Sequence, residues 1–184
     1  MSRSSTLAAL ALLVSACAAP RPFGTGVELD TVLYGGYQAL SHDHFDGHPI
    51  VALEFATLDL ENGWGYELLG GYGNEETRHQ GVTHEAEYDE VALGVRRVWG
   101  AGSNLRKVVG VGGAMTRVEN SVSPPTNRFD DHGGALYAHA GLQWASGEVP
   151  FDPGTDFFFG LDLRALTGEE YDYAQLAVVL GFGR

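Results

Sequence analysis

Alternation of side chains is the feature of this sequence that most restricts its fold. Eight segments place large apolar residues at every second position, with glycine, alanine or a polar residue between them. A period of two is typical of a β-strand whose two faces meet different surroundings. The predicted strands lie near 26–39, 50–60, 63–74, 86–99, 105–119, 133–145, 155–167 and 171–183.

The two faces predict which side of the sheet is inside. In the last segment Leu176, Val178 and Leu180 share one face, whereas Ala177 and Gly181 share the other. The small face is too rich in glycine for the outside of a soluble barrel, and it suits the narrow lumen of eight strands. The large apolar face is then expected to meet lipid. The sequence predicts an all-β fold, an eight-stranded antiparallel up-and-down transmembrane β-barrel.

Isolated charges lie on the small face. Because buried charges need partners, we expect contacts between acids and arginines inside the barrel, with a structural rather than a catalytic role. The candidate lumen charges are Glu54, Glu67, Glu90, Arg96, Asp162 and Arg164.

The connections predict the direction of the barrel. Those after the first, third and fifth strands are long, and those after the second and fourth are short. Small transmembrane barrels have short periplasmic turns and longer external loops, so the long connections are expected outside. The sixth and seventh fit this pattern less well. The seven predicted connections are 41–49, 61–63, 75–85, 100–104, 120–132, 146–154 and 167–170.

Aromatic residues give an independent indication of the same direction. Trp64, Trp99 and Trp144 each adjoin an even-numbered connection and have the lipid-facing parity, and Phe182 belongs to the same end. Amphipathic aromatic rings collect at membrane interfaces. These four residues are therefore predicted to form an aromatic girdle at the periplasmic rim.

The N-terminus has the layout of a bacterial secretory signal. A short segment with Arg3 precedes an apolar stretch and small residues, and that stretch is too short for a membrane-spanning helix. Residues 14–17 resemble a lipobox, which predicts a signal peptide over 1–16 and lipidation of Cys17; ordinary cleavage around 16–18 remains an alternative. A tail over 17–25 and a barrel domain over 26–184 would follow.

The pattern resembles the small outer-membrane barrels of the OmpA and OmpX kind over residues 26–184. The resemblance implies the outer membrane of a diderm bacterium, with membrane lipid as partner. Such barrels often end on an aromatic residue, whereas here Gly183 and Arg184 follow Phe182. The formal net charge of −13 argues against a nucleic-acid partner.

Histidines and acids accumulate in the predicted external connections. His42, His44 and His48 with Asp43 offer imidazole and carboxylate ligands for a divalent metal. A hydrophilic loop surface is the simpler interpretation. His139 instead has the lumen parity. No organic cofactor is expected, because no phosphate loop or dinucleotide motif occurs.

Three functions remain compatible with these patterns. The first is a non-enzymatic outer-membrane barrel with a structural or interaction role through acidic, histidine-rich external loops. The second is a lipid-modifying enzyme of the lipid A deacylase or acyltransferase type, which would need a histidine, acid and serine constellation at one rim. The third is a lipid-anchored, lipocalin-like binder of a small apolar ligand. It would need Leu136, Leu142, Leu176 and Leu180 inside the barrel.

Overall fold

Eight antiparallel strands close into a barrel in the computed structural model of the chain. Each strand pairs with the next, and β8 pairs with β1. The predicted fold class is confirmed. The strands are β1 Val27–Leu40, β2 His48–Asp59, β3 Trp64–His79, β4 Val82–Trp99, β5 Leu105–Ser123, β6 Asn127–Val149, β7 Asp152–Gly168 and β8 Asp172–Gly183. The structure describes residues 26–40, 48–79, 81–101, 103–123, 127–149, 152–169 and 172–183.

The start of β1, the end of β8 and two tight turns lie at one end of the barrel, here called the turn end. The turn between β2 and β3 closes where the Gly63 amide donates to the Asp59 carbonyl at 2.8 Å. Gly63 and Gly100 have φ values of 74° and 79°, which favour glycine. The opposite end is called the far end.

The two faces of the sheet differ in exposure as their side chains differ in size. On the outside, Met115, Tyr66 and Leu136 are 76%, 69% and 68% exposed. On the inside, Val32 and Phe158 are fully buried. A soluble protein rarely exposes so many large apolar side chains on its outer surface. Such a surface is typical of a barrel whose outside meets lipid.

An apolar band encircles the outer surface next to the turn end. It runs from Trp99 to Val91 on β4 and from Leu105 to Met115 on β5. These lengths match the roughly 9–11 residues that a tilted strand needs to cross a bilayer. Beyond the band, β3 to β6 continue as a four-stranded extension, here called the projecting sheet, formed by 73–79, 82–90, 116–123 and 127–134.

The projecting sheet corrects the predicted connections. Most of 75–85 and 120–132 is strand rather than loop, and most of 146–154 belongs to β6 and β7. Polar residues occupy both faces of these stretches, so the alternation that marks a strand is lost although the backbone pairing continues. The β6–β7 pairing also shifts between Ala145 and Gly147, which breaks the period of two.

Several predictions concern residues that the structure does not describe. The signal peptide, Cys17, the tail over 17–25, His42 and His44 all lie outside the described residues. Within the described ranges, the chain has no helix that is long and apolar enough to cross a membrane.

Candidate functional site

Near the turn end, the lumen holds an arginine between two acids. Arg96 on β4 forms ion pairs with Asp30 on β1 and with Glu54 on β2, the latter at 3.2 Å between Nη1 and Oε1. The hydroxyl of Tyr34 donates to Glu54 Oε2 at 2.5 Å. All four side chains are buried. They meet because alternate residues of each strand point inward, so that three strands converge on one guanidinium.

A second arginine extends this cluster toward the turn end. Arg106 on β5 pairs with Glu28 at 2.7 Å and with Asp30 at 3.4 Å. Its guanidinium carbon lies 5.3 Å from the ring centre of Phe158, a distance compatible with a cation–π contact. Asp30 therefore joins both arginines.

The middle of the lumen contains a histidine between two carboxylates. His139 on β6 places Nδ1 2.9 Å from Asp162 Oδ2 and Nε2 3.1 Å from Glu67 Oε2. The hydroxyl of Tyr137 donates to the other oxygen of Glu67 at 2.5 Å. Gly110 makes room for the His139 ring, because a Cβ there would overlap Nε2 and lie 2.6 Å from Cδ2.

Toward the far end, a third arginine is paired. Arg164 on β7 contacts Glu90 at 2.6 Å, and its guanidinium carbon lies 4.1 Å from the ring centre of Tyr137. Glu90 also accepts hydrogen bonds from the hydroxyls of Tyr88 and Tyr173, at 2.8 Å and 2.7 Å. The stack of Arg164 on Tyr137 connects this cluster to the histidine.

Together these side chains form a plug across the barrel, here called the lumen network. Its carboxylates outnumber its arginines, and tyrosine hydroxyls supply further hydrogen-bond donors, as buried acids require. A water-filled channel would expose the network, yet Arg96, Asp30 and Glu54 are only 1–2% exposed. The arrangement therefore closes the lumen and ties strands from all around the barrel together.

The six charged residues proposed for the lumen from the sequence all lie inside it. Arg96 and Glu54 share one cluster, Glu67 and Asp162 share the histidine, and Arg164 contacts Glu90. Sequence reasoning missed the partners Asp30, Glu28 and Arg106 and the tyrosines Tyr34, Tyr88, Tyr137 and Tyr173. The sequence contained a signal for them, because each lies an even number of positions from a small or charged residue of its strand that points into the lumen.

The aromatic residues proposed as a girdle lie on the outer face near the turn end. Trp64, Trp99 and Trp144 are 48%, 44% and 37% exposed. Trp144 stacks on Phe159 with ring centres 6.0 Å apart, and Phe182 packs on Phe157 at 5.4 Å. These rings are placed as amphipathic residues at a membrane interface would be.

The proposed metal ligands are only partly described. His48 lies in β2 rather than in a loop, and its side chain is buried beside Tyr88, with ring centres 5.6 Å apart. The described part of the chain holds no group of three or more histidines, cysteines or acids that could bind a metal ion. The metal site at His42, His44 and His48 stays a prediction.

Acidic side chains dominate the outer face of the projecting sheet. The pairing places Glu76 opposite Glu85, and Glu119 opposite both Glu87 and Asp130. Arg117 partly neutralises the row by a bidentate contact to Asp130, at 2.9 Å for both bonds. That hydrogen bond raises the pKa of the Arg117 guanidinium, so this cation stays charged at any physiological pH.

Solved structures of bacterial outer-membrane proteins are similar in fold. Ail, the attachment invasion locus protein of Yersinia pestis, in complex with the heparin analogue sucrose octasulfate, matches with a TM-score of 0.61 and 12% identity, covering 86% of this chain and 99% of Ail. The chain has the fold of the small outer-membrane β-barrels. This confirms the predicted resemblance at the level of fold.

Two further structures support the same assignment. Neisserial surface protein A matches with a TM-score of 0.56 and 9% identity, over 85% of this chain and 96% of that protein. The N-terminal barrel of OprF from Pseudomonas aeruginosa matches with a TM-score of 0.53 and 16% identity, over 85% and 97%. The sequence matches no protein-family model and no curated protein.

Proposed function

We propose that this protein is a sealed, non-enzymatic barrel of the bacterial outer membrane that acts at the cell surface through its projecting sheet. The observation that carries the proposal is the closed lumen network below an acidic, water-exposed sheet. The apolar band supports insertion in a membrane, because its length matches the hydrocarbon core. The fold shared with outer-membrane barrels supports that membrane as the site.

The lumen network argues against a pore. Its ion pairs connect β1, β2, β4, β5 and β7 across the axis, so that an ion would have to break several of them to pass. Breaking a buried pair is costly, because it leaves an uncompensated charge in a region of low polarity. We therefore expect no stable conducting state.

The second hypothesis, a lipid-modifying enzyme, has less support. Asp162, His139 and Glu67 resemble the base and its orienting acid in a hydrolase, but they lie buried in the middle of the lumen, away from lipid. Within the described ranges, no serine or threonine hydroxyl hydrogen-bonds His139, so a nucleophile is lacking. Ion pairing that holds β3, β6 and β7 together accounts for the three residues.

The third hypothesis, a lipocalin-like binder, requires an apolar interior. Leu136, Leu142, Leu176 and Leu180 are instead exposed on the outer face. The interior instead holds the lumen network packed against smaller apolar side chains such as Val32, Ile50 and Val179. The leucines that would line its binding site therefore lie on the opposite face of the sheet.

The charge of the projecting sheet indicates the kind of partner. Ail binds a polysulfated heparin analogue, whereas Glu76, Glu85 and Glu87 here face outward on adjacent strands. Such a surface repels polyanions and attracts cations over a distance of about 10 Å at moderate salt. We therefore propose a cationic polypeptide or polyamine as the class of partner.

Two measurements on the reconstituted protein test this function. In planar bilayers, we expect no current steps above the bare membrane.

The second measurement concerns the projecting sheet. Immobilised protein should bind polylysine but not heparin, and salt should weaken the binding. A Glu76→Gln, Glu85→Gln, Glu87→Gln variant should lose most of it, whereas Glu61→Gln at the turn end should retain it. Regular conductance steps, or heparin binding that exceeds polylysine binding, would contradict the proposal.

A further inference from the structure

We propose that Arg97 and Lys107 bind the phosphate of a phospholipid in the leaflet at the turn end of the barrel. This inference rests on the proposed membrane location. Arg97 and Lys107 both have the outward parity, and they lie in the apolar band rather than in the lumen. Near a membrane interface a cation on the outer face of a barrel costs little, and there it can reach the head groups of the lipid.

Arg97 is held between two indole rings. Its guanidinium carbon lies 5.2 Å from the ring centre of Trp64 and 5.2 Å from that of Trp99. Trp64 is its direct neighbour on β3, and Trp99 is two residues along β4. Both rings are within cation–π distance of the guanidinium and hold it on the outer face beside the turn end.

The N–H groups of this guanidinium lack an acceptor within the described part of the chain. Its Nε is buried without a hydrogen-bond partner. The arginines inside the barrel, Arg96, Arg106 and Arg164, each pair with a carboxylate, although Nε of Arg106 and of Arg164 also has no hydrogen-bond partner. A planar cation with free donors at a membrane interface matches a phosphate group, which can accept two parallel hydrogen bonds.

Lys107 supplies a second cation beside the first. It is exposed and lies directly across from Trp99 on the neighbouring strand. Arg97 and Lys107 are therefore diagonal neighbours, whose Cβ atoms are separated by roughly 7–8 Å in such a pair. Within the described residues, neither side chain forms an ion pair with a carboxylate. Two unneutralised cations on one face favour an anionic ligand.

The surroundings favour a lipid phosphate over a free one. Above the two cations, Val95, Val109 and Val111 form an exposed apolar surface that leads to the middle of the band. On the side of Arg97 away from Lys107, a groove of about 560 Å³ is lined by residues of β1 to β4, among them Trp64, Val95 and Val27. An acyl chain bound through its head group could lie along these side chains. Free phosphate would gain nothing from them.

The groove also contains an acid, which is already hydrogen-bonded. Asp59 accepts from the Glu61 amide at 2.9 Å and from the Asn62 side chain at 2.7 Å. Both of its oxygens are used by the turn. Asp59 therefore stabilises the turn, and within the described residues it forms no ion pair with Arg97.

Native mass spectrometry of the full-length protein, delipidated in detergent, tests the site. The protein is titrated with phosphatidylglycerol, with phosphatidylethanolamine and with a diacylglycerol of the same acyl chains, which lacks the phosphate. We expect both phospholipids to stay bound, whereas diacylglycerol should dissociate from the protein during collisional activation. In Arg97→Gln/Lys107→Gln, affinity for phosphatidylglycerol should fall roughly tenfold or more. Arg78→Gln, which removes one charge from the projecting sheet, should bind like the wild type.

Each alternative outcome is distinct. Equal retention of diacylglycerol, or unchanged binding by the double variant, would overturn the site. Competition by inorganic phosphate at similar concentration would assign a free-anion site instead of a lipid site. If the double variant does not fold, Lys107→Gln alone should still lower the affinity severalfold, because Lys107 is exposed. A wild-type protein that shows no heat-dependent shift on gels would refute the membrane barrel itself.

Discussion

The lumen network and the projecting sheet use the same chemistry in different surroundings. In the lumen, Arg96 pairs with Asp30 and both side chains are 1% exposed. On the projecting sheet, Arg117 pairs with Asp130 with better bidentate geometry, yet their side chains are 43% and 38% exposed. The destabilisation caused by breaking an ion pair depends on whether water can solvate the charge that remains. When a buried arginine is removed, its partner acids are left charged and out of reach of water. When an exposed arginine is removed, water solvates the acid instead.

The largest effect is expected at the centre of the buried clusters. Arg96→Met leaves Glu54 without an arginine and Asp30 with only its 3.4 Å contact to Arg106, and we expect a loss of about 3–5 kcal/mol in the free energy of unfolding. Urea titration in micelles, followed by the heat-dependent gel shift, measures it. Adding Asp30→Asn and Glu54→Gln should recover part of the loss. A single variant as stable as the wild type would mean that water reaches the lumen.

A smaller loss is expected at Arg164, because Glu90 accepts hydrogen bonds from two tyrosines whereas Glu54 accepts one. Arg164→Met isolates Glu90, but Tyr88 and Tyr173 continue to donate to it. We expect about 2–3 kcal/mol, measured by the same titration. If Arg164→Met proved more damaging than Arg96→Met, hydroxyl donors would not be compensating the buried acid.

Two glycines on adjacent strands compare the packing of the lumen with that of the outer face. A Cβ at Gly94 would overlap the hydroxyl of Tyr137 and lie 2.6 Å from the Val111 carbonyl, whereas a Cβ at Gly70 meets nothing within 4 Å. Gly94→Ala should cost about 1–3 kcal/mol through overpacking. Gly70→Ala should leave the urea midpoint unchanged or slightly higher. Equal effects at both sites would argue against a tightly filled lumen.

The smallest effect is expected on the projecting sheet. Arg117→Gln removes a well-formed bidentate pair, yet the urea midpoint should match that of the wild type because water solvates Asp130 in its absence. Thermal and urea unfolding together provide the measurement. A destabilisation comparable to that of Arg96→Met would show that the sheet is shielded from water, for example by self-association.

The strand parity could be predicted from the sequence, because lipid and lumen impose opposite side-chain sizes on alternate residues. The ends of the strands beyond the membrane could not be predicted in this way. Near Glu85 and Asp130 both faces of the sheet meet water, so apolar and polar residues no longer alternate although the strands remain paired. The contacts of His139 were also out of reach. They join β6 to β3 and β7, and parity gives the direction of a side chain but not its height in the barrel.

The central claim is that the large apolar face meets lipid while the charges are sealed inside. Quenching of tryptophan fluorescence by phospholipids brominated at defined depths tests it most directly. We expect strong quenching of Trp64, Trp99 and Trp144, greatest for bromines close to the head group, since all three lie at one rim of the band. Fluorescence that bromolipids leave unchanged, or quenching that is greatest at the bilayer centre, would contradict it.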